Sequence, residues 1–211
     1  MFIKTIFSST LFFISVCCIL PTACAQTKPG TQPPANVAPA HSAPHDTQGS
    51  ARKFVQQFYD WYAVLSRKQT AGRTVDTAIK TKATLFNGDL VRRLKEDSAA
   101  QDKVTGEIVG LDFDPFLNTN SDVADNYVAA RVTPTKSATY LVDVFSVMSG
   151  KKSNKPIATP ELKLQNGKWQ FFNFRYGGTQ IKDNENLLSI LEVLRRDREK
   201  FSKQPSPGAA H

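Results

Sequence analysis

The sequence predicts an α+β domain: an antiparallel sheet packed on N-terminal helices, with an extra C-terminal helix. Three observations lead there. Helical apolar spacing fills the stretch after residue 50, strand alternation dominates from Tyr127 onward, and an Asn-Gly pair between two alternating runs marks a tight hairpin. Helices followed by strands that pair as hairpins give a segregated α+β order, not an alternating parallel sheet.

The chain opens with MFIKTIFSSTLFFISVCCILPTACAQ, which has one early charge, Lys4, an apolar stretch from about Ile6 to Leu20, and then small residues. That is the region order of a bacterial export signal, and the stretch is short for a membrane span. Ala23-Cys24-Ala25 fits a cleavage site before Gln26, so residues 1–25 read as a signal peptide. The alternative is lipidation: LPTAC resembles a lipobox that would make Cys24 an acylated first residue, although Pro21 stands where such boxes usually carry Leu. Simple cleavage is the preferred reading. Cys17 and Cys18 are hydrophobic filler within the apolar run. All three cysteines lie at or before Cys24, so the exported domain holds no thiol and its stability must come from a core.

Residues 26–49, rich in Pro, Ala, Thr and Gln, read as a disordered linker, and residues 204–211 as a disordered tail. His41, His45 and His211 fall in these segments, which leaves the folded part, 50–203, without histidine. Removing Lys4 with the leader takes the 27 basic residues to 26 against 19 acidic ones, a net +7. In an exported protein this implies mild attraction to anionic envelope surfaces or acidic partners, not nucleic acid.

Ser50 is the predicted N-cap of a first helix, in which Phe54, Phe58, Trp61, Tyr62 and Leu65 recur at three- and four-residue spacing and Val55 and Tyr59 widen the stripe. A short helix is expected near Asp76. Another runs from about Gly88 to Ala100, with Leu90, Val91 and Leu94 inward and Arg92, Arg93, Lys95 and Glu96 outward. YVAARVTP and ATYLVDVFSVM alternate as strands. In ELKLQNGKWQFFNFRY, Asn166-Gly167 predicts a type I′ turn, pairing Gln165 with Lys168, Leu164 with Trp169 and Leu162 with Phe171. Phe172, Phe174 and Tyr176 then belong to the opposite face. A last helix follows Gly178, capped by Asp183 or Asn184, with Leu187, Ile190, Leu191 and Leu194 as its stripe.

FYDWY on the first helix, DPFL after the Gly88–Ala100 helix, and GKWQFFNFRY in the late hairpin together resemble a family of exported bacterial proteins, largely of unknown function, that includes small envelope lipoproteins. The resemblance spans about Ser50 to Tyr176. It implies a fold like that of nuclear transport factor 2, a curved sheet wrapped around helices as a cone with one open end, and an envelope location. It brings no catalytic residues with it.

The run DFDPFLNTNSD, Asp112 to Asp122, is the chain's most chemical-looking segment. As a calcium loop starting at Asn118 it would need Gly and Glu where Val123 and Ala129 stand. As a catalytic site, Asp112 or Asp114 would act as general base, with Tyr59 or Tyr62 donating to an oxyanion. As a turn, Asp114-Pro115 starts a reversal in which the Asp side chain bonds nearby amides while Phe116 and Leu117 plug the core. The turn is the preferred reading. The function expected is a non-enzymatic envelope protein that binds a protein, a cell-wall fragment or a small ligand, with Tyr62, Asp114, Trp169 and Arg175 as candidate lining residues. The alternative is a cone-fold hydrolase or isomerase. No metal or cofactor is expected, and membrane contact is expected only through a lipid anchor on Cys24.

Overall fold

A computed structural model describes residues 47–68, 73–120, 122–177 and 186–203; the predicted leader, most of the linker and the tail lie outside them. Helix α1, Thr47–Lys68, begins three residues before the predicted start. Ser50 is therefore a first-turn residue and not the N-cap. Its Oγ donates to Thr47 O at 3.0 Å and accepts from Trp169 Nε1 at 3.2 Å. Val55, Phe58, Tyr59 and Tyr62 form the buried centre of its stripe, while Phe54, Trp61 and Leu65 pack at the margin. Arg67 and Lys68 occupy the last turn, where positive charge suits the helix dipole. The short helix near Asp76 is present as α2, Thr74–Thr81, and the next as α3, Gly88–Gln101. Asn87 caps α3 by accepting from Asp89 N at 2.9 Å.

Five antiparallel strands follow: β1 (Asn126–Pro134), β2 (Tyr140–Met148), β3 (Lys151–Lys152), β4 (Thr159–Gln165) and β5 (Lys168–Arg175). The sheet is open, in the order β1-β2-β4-β5, with β3 paired to β2. The β4–β5 hairpin has the predicted register through Leu162↔Phe171, and Asn166 and Gly167 hold φ of 50° and 74°. Beyond that point the alternation fails. Glu161 pairs with Asn173, so Phe172 is an extra residue in β5. A bulge shifts every later side chain to the other face. Phe174 and Tyr176, predicted opposite Phe171, are instead buried on its side, and the Phe171 and Phe174 rings stack at 5.2 Å.

Both sheet edges are occupied where they meet helices. Gln56 of α1 pairs with β1 like a short strand: its Oε1 accepts from Ala129 N at 2.8 Å and its Nε2 donates to Tyr127 O at 2.9 Å. On the far side, Asn87 N donates to Phe171 O at 2.8 Å. Such cover removes unpaired backbone groups that would otherwise template aggregation.

Helix α4, Leu187–Lys203, buries Leu187 and Leu191 with Ile190 and Leu194 beside them, as the spacing predicts. Its cap is Asn186; Asp183 and Asn184 lie outside the described residues. Asn186 Oδ1 accepts from Ser189 N and from Asn173 Nδ2, both at 3.0 Å, while Asn173 Oδ1 accepts from Leu188 N at 3.2 Å. This pair of amides fastens the helix start to the bulged strand. Asn186→Ala is expected to cost about 1–2 kcal/mol, the loss of a cap and a buried partner, read as a lower urea midpoint at unchanged m-value. No helix among the described residues is long and apolar enough to cross a membrane.

Candidate functional site

The DPFL turn is built from its own backbone first. Asp114 N donates to Thr119 O at 2.7 Å, and Asn118 N donates to Asp114 O at 2.8 Å. Asp114 Oδ1 accepts from Phe116 N at 2.9 Å and Leu117 N at 3.0 Å. Three tyrosines then donate into this turn: Tyr62 to Asp114 Oδ2 at 2.7 Å, Tyr59 to Phe116 O at 2.7 Å, and Tyr176 to Pro115 O at 2.8 Å. Phe116 enters a ring cluster with Phe58, Tyr62, Phe86 and Phe174 at centroid separations of 4.8–5.5 Å. The three sequence motifs are thus one physical object.

Burial raises the Asp114 carboxyl above the usual range, and the Tyr62 and amide donors partly oppose that rise. Tyr62 and Tyr176 are held well above the ordinary phenol value by burial and then by the Asp114 charge. For Tyr59, burial comes first and Tyr176 second. All three hydroxyls therefore stay protonated and act as donors. A cleft of about 390 Å³ reaches Asp114 past Ser66, Asp112 and Phe113.

Of the residues singled out in sequence, Tyr62 and Asp114 come together and the others do not join them. Asp112 is exposed on the cleft wall. Trp169 packs edge-on to Tyr140 at 5.2 Å, near the hairpin end. Arg175 pairs with Glu161 at 3.0 Å. Cys24 lies outside the described residues.

A second cluster was missed. Along α3 the inward positions continue from Leu90 and Leu94 to Asp97 and Gln101, so the stripe turns polar halfway. Asp97 is 1% exposed. It accepts from Arg198 of α4 at 2.8 Å, from Arg73 at 3.4 Å and from Leu111 N at 3.0 Å. Gln101 Oε1 accepts from Val109 N at 2.9 Å and Gly110 N at 3.1 Å. A Cβ on Gly110 would stand 2.9 Å from Asp97 Oδ2, so any side chain there would displace the carboxylate or the segment. An acid at a stripe position was the signal available in the sequence.

Above this latch, α3, α4 and residues 104–109 enclose an open groove of about 1320 Å³. Its apolar lining includes Val104, Ile108 and Phe201, and the last two are 71% and 74% exposed, the highest values among the large apolar residues described. Arg92 and Arg195 stand on its rims, paired with Glu96 and Glu199 one helical turn on. No family model matches the chain, and no curated protein or solved structure matches it.

Proposed function

We propose that this is an exported envelope protein that works by binding and performs no chemistry of its own. One observation carries the reading. The rings of Phe58, Tyr62, Phe86, Phe116, Phe171 and Phe174 fill the interior, and the carboxylate facing them, Asp114, has its oxygens committed to Tyr62 and two amides. Recognition then falls to the outer surface. The α3–α4 groove suits an amphipathic helix of another envelope protein, because two helices with an apolar floor and alternating Arg and Glu rims accept a third. Ile108 and Phe201, far more exposed than folding alone requires, supply the anchors. Export rests on the leader before Gln26, and the cone resembling nuclear transport factor 2 rests on the three motifs; α1 under a bulged sheet fits it.

The test is a photo-crosslinking residue placed at Ile108 or Phe201 in the producing cell, with exposed Leu164 as control. The expected result is one discrete adduct at the groove positions. The adduct's partner, once purified, should bind the wild-type chain and not Ile108→Glu. Equal labelling at Leu164, or none at the groove, rejects it. The enzyme alternative is favoured by the cleft that reaches Asp114 and by its raised carboxyl; for that reading Asp114→Asn must abolish the protein's effect in the cell, whereas the binding reading keeps it.

A further inference from the structure

The protein's positive charge is not spread evenly. Among the described residues ion pairs are made by arginines and Lys200; the other lysines make none, and three of these, Lys151, Lys152 and Lys155, are grouped within five residues. Lys151 and Lys152 form β3 of the β2–β3 hairpin and Lys155 follows it directly; all three are exposed, in a stretch from Val144 to Pro160 without an acidic residue. At its apex Met148, 51% exposed, adjoins the Ser149-Gly150 turn. Both turn residues have positive φ, 50° and 74°, the geometry of a tight two-residue hairpin.

The hairpin is held in shape before anything binds. Ser149 N donates to Asp125 Oδ2 at 2.6 Å, Ser153 N to Ser146 O at 2.8 Å, and Ser153 Oγ to Lys155 O at 2.9 Å. Lys152 Nζ sits 4.2 Å from the Phe145 ring centroid, which orients that ammonium by cation–π attraction. The neighbouring acid, Asp125, is occupied by the turn. Arg67, at the end of α1, donates to Ala124 O and Asp125 O at 3.0 Å, adding a further cation beside it. Asp122 is the other acid in this loop.

We propose that this hairpin is a contact for an anionic bilayer surface, with Met148 entering the headgroup layer and Lys151, Lys152 and Lys155 facing lipid phosphates. An apolar residue at a rigid apex flanked by unpaired ammonium groups combines the two forces that hold peripheral proteins on anionic membranes, apolar burial and charge attraction. A soluble acidic protein would use the lysines and leave Met148 without a role. The proposal rests on the export reading, which brings the hairpin to an envelope membrane, and it needs no lipid on Cys24, since the contact is made by the folded domain.

The experiment uses the chain from Gln26 onward with vesicles of equal parts phosphatidylglycerol and phosphatidylcholine, against phosphatidylcholine alone. Co-sedimentation is expected with the anionic vesicles only, and to weaken as salt shortens the Debye length. Each lysine near such a surface contributes roughly fivefold, so Lys151→Gln/Lys152→Gln/Lys155→Gln should lose roughly a hundredfold in partitioning. Met148→Ser should lose several-fold more weakly bound protein, with thermal midpoints unchanged in both variants. Equal binding to neutral vesicles, no binding, or a triple variant within about threefold of the parent overturns the proposal. So does soluble polyglutamate that binds as tightly as the vesicles with Met148→Ser silent. Mass spectrometry of the mature N-terminus tests export separately: an unprocessed leader removes the export reading and leaves the vesicle result standing as a property of the hairpin.

Discussion

Asp97→Ala is expected to destabilise the fold by about 3–5 kcal/mol, because it breaks a buried ionic cluster from the side of its shared anion. Asp97 ties α3 at once to α4, to Arg73 ahead of α2 and to the chain at Leu111, beside the more exposed Arg93–Glu192 pair between the same two helices. Without it, Arg198 keeps, among the described residues, only Val109 O at 2.9 Å, and Leu111 N loses its acceptor. Arg73 retains Asp76 at 3.1 Å, so the loss falls mainly on the α4 side. Urea unfolding should show the drop at unchanged m-value. Removing both partners, as in Asp97→Ala/Arg198→Ala, should cost less than the two single losses added, since neither charge is then left buried alone. Gly110→Ala supplies an independent check. Its methyl would meet Asp97 Oδ2 at 2.9 Å, so its cost should shrink in the Asp97→Ala background. Additive effects would show that Asp97 does not shape this segment.

What the sequence exposed and what it hid divide along a physical line. Periodicity reports which side chains want burial, and it located α1, α3, α4 and the β4–β5 register through Leu162↔Phe171. A bulge leaves no mark in alternation, because FFNF reads equally well with Phe174 on either face; the fold chooses the face that brings Tyr176 to Pro115. Asp97 and Gln101 were legible only as polar residues on an apolar stripe, and their partners lie far along the chain. Local chemistry was the easier half of the site. Asp before Pro foretold the amide bonds from Phe116 and Leu117, whereas the three tyrosines that converge on this turn come from positions more than fifty residues away in sequence. Trp169 and Arg175 were grouped with Tyr62 by residue type; the sheet gives them partners of their own.

Asp114→Ala should cost about 3–5 kcal/mol, since it strands the amides of Phe116 and Leu117 and the Tyr62 hydroxyl together, each a buried donor worth about 1–3 kcal/mol when unpaired. Asp114→Asn should cost far less. Its carbonyl oxygen accepts from the same two amides, and its NH₂ faces a tyrosine oxygen that accepts as readily as it donates. The pair of variants also isolates a pH effect. Burial raises the folded-state pKa of Asp114 above its unfolded value. Between those two values the folded protein still holds a proton that the unfolded chain has released, so stability falls as pH rises through the window that opens near pH 4, and levels off above the folded pKa. Asp89, held low by Arg92 and Arg93, and Glu192, held at about 2 by Arg195 and Arg93, act in the opposite sense, losing stability as pH falls. Unfolding midpoints of the wild type minus those of Asp114→Asn, measured from pH 3 to 7, should cancel the arginine-linked part and leave a downward step. A flat or rising difference would mean that Asp114 is not the half-buried, desolvated carboxylate around which the DPFL turn, and with it the meeting of the three motifs, is built.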